Sequence, residues 1–398
     1  MKILHIISSF DPKGGGPMEG VRQIGKKWLS MGYEVDVATL DDPDAPFVSN
    51  NDFPVFALGP PLGSYGFAPR MVPWLREHAQ KYDFIVVNGL WQFHGIATWW
   101  VLRRTKIPYF VFTHGMLDPW FKYTYPLKHL KKWLYWPWAE YRLLRDATAV
   151  LFTCEEEKLQ ASKSFWLYKA NEVVVNYGTA MPPSDGKILR EHFLAQYPDL
   201  SGKKLFLFLS RIHKKKGCDI LIEAFAQIAG SDPSLHLIIA GPDQTGWKFK
   251  LQAKAKQLGI DGRITWPGML SGDLKWGAYY ASEAFVLPSH QENFGIVVAE
   301  ALGCGLPVLI SNKVNIWREI ESDGAGLVAS DTVEGTVDLF QRWLNLSYEQ
   351  RVTMQSQTLA TFKQRFTVEA MAISLMELML KYGNRRKVAR EDNELFDR

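Results

Sequence analysis

The sequence contains few cysteines, no long apolar segment and little net charge, and each shortage excludes a class of protein. Its 3 cysteines among 398 residues are scattered and odd in number, so neither a disulfide framework nor a paired-cysteine metal site is indicated. No apolar run reaches the length of a membrane span. The net charge of +4 is too small to indicate nucleic-acid binding by itself. We expect a cytoplasmic protein that contacts, at most, the inner face of a membrane.

The order of apolar segments predicts two α/β domains. The chain is long enough for two full cores, and 47% of its residues are hydrophobic. Short apolar runs alternate with helical patterns in both halves, which is typical of doubly wound parallel sheets that bind ligands beyond the carboxyl ends of their strands. A segment with clustered Pro, Gly and Ser separates the halves. We place one domain over 1–182 and the other over 183–365.

The segment 289–303 concentrates the groups that a charged ligand needs. It follows an apolar run that predicts a buried strand, and from Phe294 onwards it predicts a helix buried on every side. The first free N–H groups of such a helix attract an anion. Glu292 precedes this helix, Glu300 lies inside it, and Gly295 permits close approach to the backbone. A diphosphate with a sugar at one end and a ribose at the other, as in a nucleotide sugar, matches this outline.

The two glutamates and the neighbouring loops also have alternative interpretations. Glu300 is the first case, because a carboxylate in a buried helix is often paired with a lysine or arginine of the core. The second case is the basic loop with Arg211 and Lys216, which follows a predicted strand. A guanidinium binds phosphate through two hydrogen bonds and a lysine adds a point charge, but a basic loop is also commonly a solvated face.

The glycines at 14–16 precede a predicted helix and can cradle a phosphate. A dinucleotide-binding turn is the rival interpretation. It is disfavoured because about five residues separate the strand from the first glycine, whereas the dinucleotide fingerprint begins directly after its strand. Asp42 and Asp44 nearby form either a divalent-metal motif or a solvated turn.

Two motifs resemble a known enzyme family. The spacing Glu292-x7-Glu300 followed by the segment 301–308 closely resembles the signature of the retaining glycosyltransferases of family 4, which have the GT-B fold. The segment 114–120 looks like the His-Gly-Met-Leu-Asp-Pro-Trp form found in bacterial exopolysaccharide transferases of that family. The resemblance implies two facing Rossmann-like domains, with a C-terminal helix within 366–398 that crosses back to the first. We expect that helix to end near Tyr382 and a charged, mobile tail to follow over 385–398.

The resemblance also implies the roles of the site residues. Glu292 would hold hydroxyls of the donor sugar, Glu300 the ribose, and His114 the sugar near its reacting carbon, while the backbone of 266–270 would meet the base. The expected catalytic residues are Glu292, Arg211, Lys216 and His114. The expected donor-binding residues are Gly15, Gly16, Glu300, Asn293, Phe294, Gly295, Ile296, Gly268 and Leu270. No metal and no other cofactor is expected, because fixed cations can stabilise the leaving diphosphate.

The predicted function is therefore retaining transfer of a hexose, with glucose favoured, from a UDP-sugar to a growing and lipid-linked polysaccharide. A sugar-nucleotide epimerase or hydrolase on the same fold is one alternative. A subunit that binds a nucleotide sugar without turnover is another, although such a subunit is expected to lack Glu292, Arg211 or Lys216, and all three are present.

Residues 119–145 combine many aromatic side chains with lysines and arginines. Amphipathic aromatic residues beside lysines are typical of a segment at an anionic membrane surface. The other interpretation is a helix packed on the sheet with its lysines in water and its aromatic residues lining an acceptor cleft. Nucleic acid can use the same composition, and we rank it below the other two.

Overall fold

The computed structural model describes residues 1–12, 15–49, 51–243 and 245–396, and the side chains up to residue 382. The chain divides into two units. The first is Met1–Gly178 with Val368–Arg398, and the second is Thr179–Thr367. Each unit has one parallel sheet flanked by helices, which confirms the predicted fold of two doubly wound domains.

The described part of the first unit contains a seven-stranded sheet and seven helices before the unit boundary. The strands are β1 (Lys2–Ile7), β2 (Glu34–Thr39), β3 (Val55–Ala57), β4 (Phe84–Asn88), β5 (Tyr109–Phe112), β6 (Ala149–Phe152) and β7 (Glu172–Val174). The helices are α1 (Gly16–Ser30), α2 (Met71–His78), α3 (Phe93–Leu102), α4 (Trp120–Thr124), α5 (Pro126–Tyr135), α6 (Glu140–Asp146) and α7 (Glu155–Ala161).

The strand order of this sheet, β3-β2-β1-β4-β5-β6-β7, reverses between β1 and β4. All of its pairings are parallel. Strands β4, β5 and β6 are buried along their whole length, which explains why they are continuous apolar runs in the sequence. Ligands of open α/β sheets bind where the strand order reverses, so the loops after β1 and β4 are positioned for function, and the loop after β5 lies next to the loop after β4.

The described part of the second unit contains a six-stranded sheet and eight helices. The strands are β8 (Lys204–Leu209), β9 (Leu235–Ala240), β10 (Ile264–Gly268), β11 (Ala284–Leu287), β12 (Val308–Ser311) and β13 (Gly326–Ala329). The helices are α8 (Gly186–Gln196), α9 (Cys218–Ile228), α10 (Trp247–Gln257), α11 (Gly272–Ala281), α12 (Ile296–Gly303), α13 (Trp317–Ser322), α14 (Val333–Leu344) and α15 (Tyr348–Arg365).

The order in this second sheet is β10-β9-β8-β11-β12-β13, and the reversal lies between β8 and β11. These two strands pair in parallel, so their carboxyl ends lie at the same edge of the sheet. The loop after β8 contains Arg211 and Lys216, and the loop after β11 contains Glu292. The fold therefore brings together the basic and acidic segments that the sequence marked as candidates.

The C-terminal helix α16 (Val368–Phe396) belongs to the first unit, as the sequence predicted. The indole N–H of Trp28 in α1 donates to the carbonyl of Ala372 at 3.2 Å, and Lys27 pairs with Glu369 at 2.9 Å. The predicted end at Tyr382 is wrong, because the helix continues to Phe396. The tail expected over 385–398 is thus helical as far as that residue, and its last two positions lie outside the described residues.

The free cysteines all lie within the packed parts of the two units. Cys154 and Cys218 are buried and Cys304 is partly buried. Burial raises the pKa of the Cys218 thiol and of the Cys304 thiol to about 12. Both thiols are therefore protonated at neutral pH. Among the described helices, none combines the length and apolarity needed to cross a bilayer.

Helices α8 and α11 pack unusually close together because of Gly277. A Cβ atom at that position would lie 2.3 Å from the carbonyl oxygen of Leu189 and 2.7 Å from Cβ of Phe193. Glycine in a helix ordinarily costs up to about 1 kcal/mol relative to alanine. Here it is retained because a methyl group has no space between the helices.

We therefore predict that Gly277→Ala destabilises the protein, by about 1–3 kcal/mol as in other overpacked interiors. Its melting temperature in calorimetry should fall. Gly262→Ala is the matched control, because nothing lies within 4 Å of a Cβ at that position and its φ is ordinary. Equal melting temperatures for the two variants would contradict the close approach.

Candidate active site

The loops after β8 and β11 are locked together in the second unit. The N–H of His290 and the hydroxyl of Ser289 both donate to the carbonyl of Lys215, each at 2.9 Å. Gly217 has a φ of 68°, and a Cβ there would lie 2.1 Å from the carbonyl oxygen of Pro288. Only glycine fits this left-handed close approach. The two loops therefore form one rigid surface at the reversal of the strand order.

An ion pair joins the same two loops. The ammonium of Lys216, which is buried, donates to Oε2 of Glu292. The backbone of Glu292 is fixed as well, since its N–H donates to Lys313 at 2.9 Å and its carbonyl accepts from Asn315 at 3.0 Å. Sequence reasoning predicted separate ligand contacts for Lys216 and Glu292. The structure adds that they are each other's partners, so part of the lysine charge is already neutralised.

Arg211 differs from Lys216, because its side chain is exposed and makes no ion pair with any described residue. The positive character of its loop is visible at His213. The pKa of His213 is lowered by burial and then by the charges of Arg211, Lys215, Lys216 and Lys214. A loop that repels a proton attracts an anion for the same reason. The guanidinium of Arg211 is thus available to a phosphate group.

Helix α12 begins at Ile296, two residues later than predicted. Gly295 adopts a left-handed φ of 72° at the helix cap, which interrupts the helix that the sequence suggested from Phe294. The ring of Phe294 is buried edge-on against Phe366 at 5.6 Å. The side-chain oxygen of Asn293 accepts from Asn315 at 3.3 Å. Both side chains therefore contact other residues of the protein. The groups of this segment that are suited to binding an anion are the first backbone N–H groups of the helix.

Glu300 is buried within α12 and is held by two residues of α11. Its Oε1 accepts from the ammonium of Lys275 at 2.8 Å, and its Oε2 accepts from the hydroxyl of Tyr279 at 3.0 Å. Burial and the charge of Glu300 together raise the pKa of Tyr279 well above its usual range. Glu300 is therefore paired with a lysine, although Lys275 is partly exposed and not a residue of the core. Each carboxylate oxygen has a second lone pair, so this pairing does not prevent Glu300 from accepting hydrogen bonds from a ligand.

The ends of β9 and β10 complete the surface of the second unit. The N–H of Gly241 donates to the carbonyl of Gly268 at 2.7 Å, and the N–H of Ile212 donates to the carbonyl of Pro242 at 3.0 Å. Leu270 follows and is buried. These bonds bring the segment predicted to meet the base beside the loop that contains Arg211.

In the first unit, His114 occupies a strained position directly after β5. Its φ is 48°, which is rare for a residue with a side chain. Its ring stacks on Phe112 with centroids 5.3 Å apart, and its Nε2 lies 3.3 Å from Oδ1 of Asn88. Burial lowers the pKa of His114 to about 4. The imidazole is therefore neutral at physiological pH.

Glu157 holds the His114 loop in place, and sequence reasoning missed it. Its carboxylate accepts from the hydroxyl of Thr113 at 2.7 Å and from the N–H of Gly115 at 2.6 Å. It also accepts from the N–H of Thr153 at 2.8 Å and from its hydroxyl at 2.7 Å. A signal was present, because β5 and β6 are neighbours and each is followed by a threonine. A buried carboxylate with four donors explains how the strained φ of His114 is maintained.

Within the first unit, Gly16 and His114 both contact Tyr177. The hydroxyl of Tyr177 donates to the carbonyl of Gly16 at 3.4 Å, and its ring meets the His114 ring edge-on at 5.9 Å. Gly15 has a φ of 84° and an open space at its Cβ position. Tyr177 thus connects the glycines at the start of α1 with the histidine after β5.

The acidic loop after β2 behaves as a turn. Oδ1 of Asp42 accepts the N–H of Asp44 at 3.0 Å, the hydrogen bond of an Asx turn. Oδ2 of Asp41 accepts the N–H of Phe10 at 2.7 Å. Across the described part of the chain, no three His, Cys, Asp or Glu side chains come together in a way that could hold a metal ion.

Residues 119–145 form three short helices, α4, α5 and α6. Their most exposed apolar side chains include leucines of α5, at Leu127, Leu130 and Leu134, which are 81%, 62% and 73% exposed. Several aromatic rings instead pack inwards, as Trp136 does against Phe165 with centroids 4.0 Å apart. Lys132 lies 4.1 Å from the centre of the Trp91 ring, and burial lowers its pKa to about 8.

Comparisons with known proteins agree with this architecture. A model described as a glycosyl transferase 4-like domain matches residues 15–178, and the model of glycosyl transferases group 1 matches residues 190–360. Mannosylfructose-phosphate synthase of Agrobacterium fabrum is 25% identical over 340 residues, which are 77% of this chain and 73% of that protein.

Two solved structures share the fold over nearly all of the chain. Sucrose-phosphate synthase from Thermosynechococcus elongatus superposes with a TM-score of 0.75 at 20% identity, covering 98% of this chain and 100% of that one. HepE of Anabaena, in complex with UDP-glucose, gives a TM-score of 0.71 at 20% identity and covers 96% and 100%. Since one family model matches each unit and the chain shares the fold of these structures, the chain belongs to the group 1, or family 4, glycosyltransferases of the GT-B fold.

Proposed function

We propose that this glycosyltransferase moves a hexose, with glucose favoured, from a UDP-sugar to a growing and lipid-linked polysaccharide of the exopolysaccharide or envelope type. The transfer retains the configuration of the sugar and needs no metal ion. One observation supports this most. Glu292 and Glu300, which are each paired with a lysine, lie on either side of the first turn of α12. Arg211, which has no ion-pair partner among the described residues, lies on the same loop as Lys216. HepE, which is described with UDP-glucose, supports the choice of donor.

The proposed chemistry depends on stabilising the departing diphosphate. Arg211, Lys216 and the N–H groups that begin α12 bind the phosphate oxygens on which negative charge grows as the bond to the sugar breaks. The sugar then has oxocarbenium character, and the acceptor hydroxyl attacks from the face that the diphosphate leaves. The proton of that hydroxyl passes to the departing phosphate oxygen. Retention follows from the shared face.

The two glutamates bind different parts of the donor. Glu292 accepts hydrogen bonds from the sugar hydroxyls, and Glu300 accepts them from the ribose diol. His114 contacts the sugar. The backbone of Gly268 and Leu270 meets the base, and the glycines at the start of α1 lie against the phosphates.

The exposed leucines of α5 are proposed as a surface that contacts an anionic membrane, where a lipid-linked acceptor resides. They are spaced three and four residues apart, so they lie on one face of the helix. The exposed Lys128 and Lys131 lie on the same helix, and the described part of α5 contains no acidic residue. Leucines that enter the lipid boundary beside lysines that meet its charge are typical of such surfaces.

Arg211→Ala tests the diphosphate assignment. We expect donor binding to weaken by about 1.5–3 kcal/mol, the usual contribution of a hydrogen bond to a charged group. Turnover of UDP-glucose should fall further, because the charge on the leaving group grows in the transition state. Calorimetric titration of the donor and an assay of released UDP in excess EDTA give the two values.

Lys214→Ala is the matched control, because this lysine is exposed on the same loop. It should keep the wild-type values. Wild-type turnover of Arg211→Ala at saturating donor would overturn the assignment. Loss of turnover in EDTA that added Mg²⁺ or Mn²⁺ restores would overturn the metal-free mechanism.

The glutamate assignments predict opposite responses to free UDP. Glu300→Gln should weaken UDP and UDP-glucose by the same factor, because both contain the ribose. Glu292→Gln should weaken UDP-glucose alone, and it should bind UDP at least as tightly as the wild type because the charge of Lys216 is released from its partner. Equilibrium titrations with both ligands measure these changes. Glu334→Gln, at an exposed position, is the control, and identical responses of Glu292→Gln and Glu300→Gln would refute the division.

The membrane surface predicts a charge-dependent affinity for vesicles. Replacing Lys128 and Lys131 by glutamine should weaken binding to phosphatidylserine vesicles by about 1 kcal/mol for each charge, with UDP-glucose affinity unchanged. Co-sedimentation measures the loss. The double replacement of Lys163 and Lys169, which are also exposed, is the control. Equal vesicle binding by the α5 variant and the wild type would show that α5 does not face lipid.

A further inference from the structure

Asn88, the last residue of β4, contacts three histidines. Its side-chain oxygen lies 3.3 Å from Nε2 of His114, and its side-chain nitrogen lies 3.2 Å from Nδ1 of His5. Its backbone carbonyl lies 3.1 Å from Nε2 of His94. Asn88, His5 and His94 are all buried, so these contacts are sheltered from water.

The orientation of the Asn88 amide follows from two backbone carbonyls. Its side-chain nitrogen donates to the carbonyl of Val86 at 3.2 Å and faces that of Ile6 at 3.4 Å. An amide oxygen in that place would repel both carbonyls, since all three groups are acceptors. The nitrogen therefore faces the strands β1 and β4, and the oxygen faces His114.

The amide orientation determines which nitrogen of His114 bears hydrogen. An oxygen acceptor at 3.3 Å from Nε2 requires that Nε2 donates. In the neutral ring, Nδ1 is then an acceptor with a free lone pair. Nδ1 of His114 has no hydrogen-bond partner among the described residues. It is not among the buried side-chain atoms that lack a partner, so a ligand can reach it.

The ring stays neutral because of its surroundings. Burial lowers the pKa of His114 to about 4, and burial followed by the charge of His114 lowers the pKa of His5 to about 3. The structure places no carboxylate within hydrogen-bonding distance of either described ring. A neutral acceptor nitrogen binds an O–H group, whereas it does not bind an unprotonated phosphate oxygen, which is itself an acceptor.

We infer that Asn88 is a positioning residue, which holds His114 as the Nε2–H tautomer so that Nδ1 accepts a hydrogen bond from a hydroxyl of the donor sugar. This inference rests on the proposed function for the identity of the donor. As a neutral acceptor, His114 differs from the cationic groups of the second unit. The histidine selects a hydroxyl, and the phosphates are left to arginine, lysine and backbone N–H groups.

The tautomer is measured directly by ¹⁵N NMR of the full-length protein labelled at histidine, without any ligand. We expect the Nε2–H pattern for His114, assigned by its loss in His114→Ala. In Asn88→Leu the His114 preference should be lost, because the acceptor is removed. His94 is an internal control, since it donates to the backbone carbonyl of residue 88 and should keep its Nε2–H pattern. An Nδ1–H pattern in the wild type, or an unchanged one in Asn88→Leu, would overturn the inference.

Ligand titrations test whether His114 accepts a hydrogen bond from a hydroxyl of the donor sugar. Asn88→Leu should bind UDP-glucose about fivefold more weakly, as expected for one neutral hydrogen bond, and should bind UDP as the wild type does. Equal weakening of both ligands would overturn the role. Loss of the His94 Nε2–H signal in Asn88→Leu would show that this variant does not fold. In that case the tautomer of His114 in the wild-type protein decides whether the inference holds. If no UDP-sugar binds or turns over, the proposed function fails, while the NMR result on Asn88 stands by itself.

Discussion

The ion pair between Lys216 and Glu292 is the interaction on which the site of the second unit depends. It joins two residues that are 76 positions apart in sequence, and the close approach of Gly217 to Pro288 leaves their loops little freedom to move. Lys216 is buried and would be costly without its partner, so the pair holds the two loops together before any ligand binds. The loop keeps a net positive charge, because Arg211 makes no ion pair with any residue that the structure describes.

Carboxylates support both units in a similar way. In the second unit they accept from lysines, and in the first unit Glu157 accepts from hydroxyl and backbone groups of two neighbouring strand ends. Glu292 and Glu157 each lie within four residues of the start of a helix, beside a loop with unusual backbone geometry. Fixing a loop at the carboxyl edge of a parallel sheet costs conformational entropy. Charge-assisted hydrogen bonds are among the strongest local contacts that can offset this cost.

The sequence predicted the fold well because buried parallel strands are apolar throughout, and it predicted the acidic and basic loops because each lies within a few residues of a strand end. It could not identify Lys275 as the partner of Glu300, because these residues are on different helices and only packing makes them neighbours. The role of Asn88 also depends on packing, whereas Glu157 could have been found from the threonines that follow β5 and β6. The start of α12 was misplaced because an apolar ring continued the helical pattern, whereas the left-handed Gly295 interrupted it. The alternating aromatic and basic pattern of 119–145 indicated an unusual surface, but it did not reveal that leucines supply much of the exposed apolar area.

The burial of the cysteines has a practical consequence for spectroscopy. A thiol reacts with a maleimide as its thiolate, and the protonated, packed Cys218 and Cys304 offer very little thiolate at neutral pH, while Cys154 is sealed within the first unit. A single cysteine introduced on the exposed face of α5, or on the loop of Arg211, would therefore react ahead of the native ones. Spin labels or fluorophores can be attached to this enzyme without first constructing a cysteine-free background.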